Sequence, residues 1–425
     1  MRRLRRSGRG WLTKETVILL GMAIGVRAVV SLAQVLYGVH GVPGFPLSTW
    51  GDFYSGYTQW LGFLQKGLIP YRDFYTYKYT PLFLYSLYPF FVAAGARAAS
   101  IPIVLSDAAT AALVYLIAKR FAADRIAFAA GLLYAFAPFV LYYEGYLWLS
   151  SQPMTLFLIL AIYLFKDNRP ILSFASLAVA VMFKQEALFV LPAYLLLYAK
   201  EYKRSIPKGI LIFVAVVVVV SLPFLIIAPR DYISSLNYFP INLGPAEPSQ
   251  PIASGIVNVA TPEPNAVGSC GLTTLPGLYT GTLCGTIVNL KEFASSLIVG
   301  RLNQTAFLLE PLLLAVLAPA LYVSRRSQNF LQMLCIYSLL VSLVLFSDFV
   351  EASLAYYFVP VYALMFASIM DKRTLLLGVA VALLSLTIPE GPLQVILPLG
   401  YLFIAVLLQD ISGSVRHTAS NPAPA

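Results

Sequence analysis

The sequence predicts an all-α protein that crosses a membrane about twelve times (11–13 transmembrane helices). The first observation is composition: 59% of the residues are hydrophobic and only 11% are charged, whereas about 25% are charged in a soluble domain. The second is length, because many apolar stretches of roughly 17–22 residues are long enough to cross a ~30 Å hydrocarbon core. The third is the position of Lys and Arg, which gather at the ends of these stretches.

The basic residues also fix the predicted topology. Of the 29 Lys and Arg residues, 20 fall in the tails and the connections assigned to the cytoplasm, with only 6 of the 19 Asp and Glu residues. This distribution follows the positive-inside rule with both termini cytoplasmic, and it explains the net charge of +10 without nucleic-acid binding. The basic segment Arg2 to Lys14 runs into a span too long for a signal peptide, so we expect no cleavable signal. The predicted spans are 16–38, 99–118, 126–143, 153–165, 170–183, 187–199, 209–228, 304–323, 329–347, 353–370, 374–388 and 392–409.

The predicted organisation is a basic cytoplasmic tail (1–15), a single transmembrane domain (16–410) and a disordered tail (411–425). Residues 80–95 are apolar, but they are short and contain two prolines, and a crossing there would invert every later loop. We therefore predict an interfacial helix on the outer leaflet. Two large outer segments result. They are 39–98, where we expect the catalytic chemistry, and 229–303, which could form a lid over an acceptor or donor.

The second outer segment contains Cys270 and Cys284. In an oxidising compartment these two cysteines could form a disulfide that closes a short loop. Two free thiols are the alternative, and the sequence leaves both open. The third cysteine, Cys335, lies in a predicted span and is interpreted as a packing residue.

The first outer segment carries the most chemistry. Asp52 precedes apolar and aromatic residues at helical spacing, which predicts a short amphipathic helix along the membrane. The Asp could act chemically, or it could simply cap this helix. Further along, Arg72, Asp73 and Lys78 lie among six tyrosines. Such charges at a membrane surface suit a site for a lipid phosphate and a sugar hydroxyl, although an interfacial aromatic belt explains the tyrosines equally well.

The order of the motifs resembles the GT-C superfamily of membrane glycosyltransferases, which use polyprenyl-phosphate sugars and include mannosyltransferases and aminoarabinose transferases. Asp52 follows the first span, then come a helix, G-x-x-P-Y-R-D-F at 67–74 and Y-x-Y-T-P-L at 77–82. Later segments continue the resemblance over roughly residues 15–370. They are Gly95-Ala96-Arg97, Tyr142-Tyr143-Glu144, Met182-Phe183-Lys184 and the stretch from Glu351 to Pro360.

The resemblance implies roles for individual residues. Asp52 matches the acidic residue of the first loop that acts as catalytic base, and Lys184 matches the lysine that holds the donor phosphate. The remaining substrate-binding residues implied by position are Arg72, Asp73, Lys78, Tyr79, Arg97, Glu144 and Glu351. Many members carry an acidic residue at the start of the fourth span, but this chain has Ser150-Ser151-Gln152-Pro153 there, so Glu144 could replace it or the site could hold one essential carboxylate. No D-x-D-like pair occurs in the first loop, so we expect no metal cofactor.

The implied activity is transfer of a hexose, with mannose as one candidate, from a lipid phosphate to a glycan or glycolipid on the outer face of the cell membrane. Such a reaction needs a base for the acceptor hydroxyl and cations for the departing phosphate, and Asp52 and Lys184 supply these two types of group. Lys184 could instead snorkel to the interface or pair with Glu186. A multispan transporter or lipid flippase is the alternative function, because ionisable residues such as Arg27 and Asp107 lie inside spans. We predict these two as a possible pair, with a structural role favoured.

Overall fold

A computed structural model describes residues 13–37, 52–74, 77, 79–191, 194–195, 202–235, 358–387, 397, 401 and 404. Several of the residues and spans predicted above lie outside these ranges. They are Lys78, Cys270, Cys284, Cys335, Glu351, the spans 304–323 and 329–347, most of the span 392–409, six of the 13 residues of the span 187–199, most of the segments 1–15 and 229–303, and the tail 411–425. The choice between a disulfide and two free thiols therefore stays a prediction.

The described residues form helices joined by turns, with no β-strand among them, so the all-α prediction is confirmed. The α-helices are α1 (Lys14–Tyr37), α2 (Thr58–Gln65), α3 (Pro81–Ala94), α4 (Ile101–Ala118), α5 (Asp124–Phe136), α6 (Pro138–Val140), α7 (Ser151–Lys166), α8 (Pro170–Phe183), α9 (Ile206–Ile227), α10 (Pro229–Ser235), α11 (Val359–Ala367) and α12 (Lys372–Thr387). Two π-helical segments, Phe53–Tyr57 and Leu141–Tyr146, and three 3-10 segments, Ala96–Ser100, Gln185–Val190 and Lys203–Ser205, complete the described elements.

Four stretches in the described part of the chain are long and apolar enough to cross a membrane: Lys14–Leu36, Ala96–Ala118, Asp124–Tyr146 and Lys203–Ile227. Each coincides with a predicted span. The apolar helices α3, α7 and α8 are shorter, with 14, 16 and 14 residues. The total of about twelve spans stays a prediction.

The long helix α9 shows how the chain meets lipid. Val219 and Ile226 on α9 are 70% and 71% exposed, which would be costly in water but is the expected surface in a hydrocarbon phase. Gly209 lies on the other side, where α9 contacts α8, and a Cβ atom there would lie 2.1 Å from the ring of Phe174. The glycine therefore allows the two backbones to approach closely, as small residues do between membrane helices.

The core of the described helices is built around α4, which packs against α1, α5 and α7. Helix α8 lies between α7 and α9, and α11 packs against α4, α5 and α7. Gly131 on α5 allows the close contact of α5 with α1 and α4, because a Cβ atom at this position would meet Leu19 at 2.5 Å and Tyr115 at 2.9 Å.

A buried ion pair links α1 to α4, as the sequence suggested. Arg27 donates through Nε to Asp107, and both side chains are fully buried. Arg27 Nη1 also donates to the carbonyls of Ala23 and Ala135, each at 3.1 Å. Tyr134 donates to Asp107 Oδ1 at 2.9 Å, and Gln152 Nε2 donates to the Tyr134 hydroxyl at 3.0 Å. This network joins four helices, which favours a structural role for the pair.

The charged connections cluster at one end of the helices. Arg120, after α4, donates to Asp167, after α7, at 2.5 Å, and Lys119 pairs with Asp124 at 3.3 Å. Because α7 ends and α8 begins at this end, the start of α7 and the end of α8 lie together at the opposite end. Ser150 and Lys184 therefore share one end of the helical body, away from the basic connections.

The first outer segment folds onto that same end. Its amphipathic helix forms as the π-helical segment Phe53–Tyr57 followed by α2, and Phe53, Tyr57 and Leu61 are buried. Phe53 packs against Trp148 with 4.9 Å between ring centroids. Helix α3, predicted as interfacial, buries Phe83 and contacts α2, α4 and α8. The apolar face of this segment thus packs on protein.

Candidate active site

The Y-x-Y-T-P-L motif is fixed to the end of α8 by hydroxyl groups. Thr80 donates through Oγ1 to the carbonyl of Val181 at 2.9 Å. The Tyr71 hydroxyl donates to the carbonyl of Tyr79 at 2.7 Å, and that of Tyr77 donates to the carbonyl of Thr80 at 2.8 Å. These bonds hold Tyr79 beside the residue that ends α8.

That residue is Lys184, which has an extended backbone and a fully buried side chain. Its Nζ lies 3.2 Å from Glu186 Oε1 and 5.7 Å from the centre of the Tyr79 ring. The pairing with Glu186, which the sequence offered as an alternative to phosphate binding, is therefore present. Snorkelling to the interface is wrong, because the ammonium is enclosed by protein.

The electrostatic surroundings of Lys184 include three carboxylates. Burial lowers the pKa of Lys184, and the negative charges of Glu186, Glu144 and Asp52 oppose this effect. Asp52, remote in sequence, therefore lies close enough to act on the lysine. The structure brings together the predicted base, the predicted phosphate ligand and Glu144.

Asp52 is half-buried at the start of the π-helical segment Phe53–Tyr57, and its side chain makes no capping hydrogen bond. The interpretation of Asp52 as a helix cap is therefore not supported. Burial raises the pKa of the Tyr79 hydroxyl, and the negative charge of Asp52 adds to this effect. Tyr79 thus remains a hydrogen-bond donor next to both Asp52 and Lys184.

Glu144 lies in the second π-helical segment, Leu141–Tyr146, and is fully buried. Four residues later Trp148 has a left-handed backbone, φ 53°, which is uncommon for a residue other than glycine. The Trp148 indole donates to the Ser31 hydroxyl at 3.1 Å, which holds this conformation. Segments of π-helix and strained residues are frequent at functional sites.

The same end of the protein contains buried oxygen atoms that have no hydrogen-bond partner among the described residues. Leaving such a group unsatisfied costs about 1–3 kcal/mol, so several in one region need an explanation. They belong to Tyr57, Glu144, Tyr146, Ser150 and Ser151, and both carboxylate oxygens of Glu144 are included. The hydroxyls of Tyr57 and Ser150 lie close enough to each other and to Tyr79 to interact, but without the geometry of a hydrogen bond.

Sequence reasoning missed all of these residues except Glu144, and Tyr146 was not singled out at all. Tyr57 was interpreted only as part of an apolar helix face. Ser150 and Ser151 were interpreted only as a departure from the acidic residue expected there. Two hydroxyl residues at the outer end of a predicted span were the available signal.

Three other predicted residues, Arg72, Asp73 and Arg97, make no contact with Lys184 in the part of the chain that the structure describes. Arg72 forms two hydrogen bonds to Asp73, at 2.8 and 2.9 Å, and Asp73 also accepts from the backbone N–H of Ile69 at 2.7 Å. The bonds from Arg72 and Ile69 hold the pKa of the Asp73 carboxyl below its usual value. Arg97 is exposed in the 3-10 segment before α4. The substrate-binding roles of these three residues stay predictions.

In the described part of the chain, no three His, Cys, Asp or Glu side chains are grouped in a way that could hold a metal ion. The expectation that the reaction needs no metal stays a prediction.

A family model matches part of the chain. The family model described as dolichyl-phosphate-mannose-protein mannosyltransferase matches residues 81–227, the stretch that runs from α3 to the end of α9 and contains Glu144, Ser150 and Lys184. No curated protein and no solved structure matches the chain. Together with the apolar helices, the match confirms the resemblance found in the motifs and supports an integral membrane glycosyltransferase of the GT-C type.

Proposed function

We propose that this protein transfers a hexose from a polyprenyl- or dolichyl-phosphate sugar to a hydroxyl of a glycan or glycolipid. Asp52 accepts the proton of that hydroxyl as its oxygen attacks the anomeric carbon. The bond between the anomeric carbon and the phosphate oxygen breaks, and the lipid phosphate leaves with the electron pair. Attack from the side opposite the leaving group inverts the anomeric centre.

Lys184 and Tyr79 act on the leaving phosphate in this proposal. A buried ammonium stabilises developing negative charge more strongly than an exposed one, because little water screens it. Glu186 holds Lys184 in place at 3.2 Å before the donor arrives. The Tyr79 hydroxyl adds a hydrogen-bond donor beside the ammonium.

The observation that carries the proposal is that Asp52, 132 positions before Lys184 in the sequence, lies within electrostatic range of the buried ammonium, with the centre of the Tyr79 ring 5.7 Å from that ammonium. Asp52 comes from the first outer segment and Lys184 from the end of α8, yet they share one end of the helical body. A base and a cation for the leaving group at one place are the two requirements of glycosyl transfer.

Replacement of the base tests the mechanism. Cells that lack the protein would be complemented with the wild type, Asp52→Asn or Asp124→Asn, and their surface glycans would be compared by mass spectrometry. Asp124 is a matched control, because its carboxylate lies at the opposite, basic end and is 65% exposed. We expect Asp52→Asn to lose the glycan product while its membrane level stays normal, and Asp124→Asn to keep both. Full product formation by Asp52→Asn would refute the proposed base.

We also propose that the protein lies in the cell membrane with both termini in the cytoplasm and the site outside. Gln59, in α2, and Arg204, before α9, are both exposed. A membrane-impermeant thiol reagent applied to intact cells should label Gln59→Cys and spare Arg204→Cys, with the labelled peptide identified by mass spectrometry. The opposite result would place the site on the cytoplasmic face.

A transporter or lipid flippase is the alternative, and purified protein in vesicles distinguishes it. A flippase would move polyprenyl-phosphate-mannose between leaflets without forming a new glycosidic bond, and Asp52→Asn would keep this activity. Metal independence is tested in the same preparation, where we expect EDTA to leave transfer unchanged.

A further inference from the structure

The buried oxygens named above that make no hydrogen bond among the described residues are hydroxyl and carboxylate oxygens. We propose that Tyr57, Glu144, Ser150 and Ser151 form a subsite that binds the hydroxyl groups of the transferred sugar. This inference rests on the proposed function, because it assigns the sugar end of the same donor.

Two links connect the members to Lys184. The first is Tyr79, whose ring centre lies 5.7 Å from Lys184 Nζ and 6.0 Å from the centre of the Tyr57 ring. The Ser150 hydroxyl lies close to both tyrosines, because it acts to lower the pKa of each of their hydroxyls. The second is Glu144, whose charge acts on Lys184. The sequence neighbours Ser150 and Ser151 cap and begin α7, and neither hydroxyl makes a capping hydrogen bond.

The types of atom favour a neutral polyol over an ion. A carboxylate only accepts hydrogen bonds, whereas serine and tyrosine hydroxyls both donate and accept. A sugar ring presents the complementary set, since each of its hydroxyls donates once and accepts. A phosphate would require donors alone and would be repelled by Glu144, and the phosphate already has Lys184 and Tyr79 available to it.

The backbone around the group is suited to hold these oxygens without internal partners. Glu144 lies in the π-helical segment Leu141–Tyr146, and Ser150 follows the left-handed Trp148. Trp148 is held by its bond to Ser31 and by its contact with Phe53 at 4.9 Å between ring centroids. A rigid frame of this kind gives a sugar site its selectivity, because a ligand that lacks the matching hydroxyls leaves the protein groups unpaired.

Binding measurements with two probes test the subsite. One probe is polyprenyl phosphate, which has no sugar. The other is a polyprenyl-phosphate hexose, supplied in turn as mannose, glucose or galactose. For the wild type we expect at least one hexose form to bind about 10-fold or more tightly than polyprenyl phosphate. Glu144→Gln, Ser151→Ala and Tyr57→Phe should each weaken binding of that form by about 10-fold, from the loss of hydrogen bonds to a substrate hydroxyl, and leave polyprenyl phosphate binding unchanged.

Two controls separate this inference from the proposed function and from misfolding. Ser176→Ala removes a buried hydroxyl that is already bonded to the Phe157 carbonyl at 2.7 Å, and it should not change the ratio of the two affinities. Lys184→Gln should weaken both probes together. Should Glu144→Gln fail to fold, Ser151→Ala and Tyr57→Phe carry the test.

The outcomes are distinct. Failure of the wild type to bind any polyprenyl phosphate would contradict the proposed function itself. Binding of polyprenyl phosphate with no preference for any of the three hexose forms would overturn the sugar subsite alone. Equal weakening of both probes by the three variants would also overturn it, because the residues would then act on the phosphate or on folding.

Discussion

Removing one partner of the buried pair Arg27–Asp107 should destabilise the protein severely. Both side chains are fully buried, and Asp107 also accepts a hydrogen bond from Tyr134 at 2.9 Å. In Asp107→Leu the guanidinium stays buried without its counter-charge, and the expected loss is about 3–5 kcal/mol of unfolding free energy. Arg27→Leu leaves the carboxylate uncompensated, and we expect a loss of similar size.

The double variant Arg27→Leu/Asp107→Leu distinguishes a pair from two independent residues. Without either charge, the helices can pack apolar side chains, and such replacements are often neutral or stabilising. We therefore expect the double variant to lie close to the wild type, with a coupling energy of at least about 3 kcal/mol. Tyr134→Phe removes no charge and two hydrogen bonds, and it should cost about 1.2 kcal/mol, from an average of about 0.6 kcal/mol for such a bond in a membrane protein.

The assay is reversible unfolding of the purified protein in mixed detergent and SDS micelles, followed by circular dichroism. Additive losses in the double variant would refute the structural role of the pair. Normal glycan formation by the folded double variant would show that the pair takes no part in chemistry, as the proposed function requires. A transporter that uses these charges would lose its activity.

Three further predictions follow from the site and from the helix contacts. Burial lowers the pKa of Lys184, so the ammonium loses its proton at a pH below the usual lysine pKa of about 10.4. Polyprenyl phosphate binding should therefore weaken as the pH rises towards about 10.4. Lys184→Arg should abolish this pH dependence, and an unchanged profile would contradict the assignment. Gly209→Ala places a Cβ atom 2.1 Å from Phe174 and should cost about 1–3 kcal/mol, whereas Gly21→Ala, with nothing within 4 Å, should not lower the melting temperature. Asp73→Asn should lower the free energy of unfolding by about 1 kcal/mol, because the hydrogen bond from the Ile69 N–H to this side chain becomes weaker. Folding lowers the pKa of Asp73, so the difference in unfolding free energy between the wild type and Asp73→Asn should disappear as the pH falls through that lowered pKa. Equal unfolding free energies at neutral pH would show that the carboxylate does not hold this loop.

Composition and hydrophobic patterning were enough to predict the fold class and the approximate ends of the long helices. Hydrophobic runs need no partner to be recognised, because lipid selects them by length and composition. The predicted spans 99–118, 126–143 and 209–228 accordingly overlap stretches of the structure that are long and apolar enough to cross a membrane, with ends that differ by up to six residues. The pairing of Arg27 with Asp107 was also within reach, since a charge inside a span requires a partner.

The environment of each side chain, in contrast, follows from the three-dimensional packing and could not be predicted from the pattern of residues. Lys184 at the end of a span could have reached water, but the chain after α2 folds over it and encloses it with Tyr79. Arg72 and Asp73 satisfy each other in a turn, although their motif placed them with the site. The serines at the start of α7 are candidates for substrate binding because the fold places Ser150 close to Tyr57 and Tyr79. Burial and hydrogen bonding depend on contacts between segments remote in sequence, and a linear pattern of residue types does not contain those contacts.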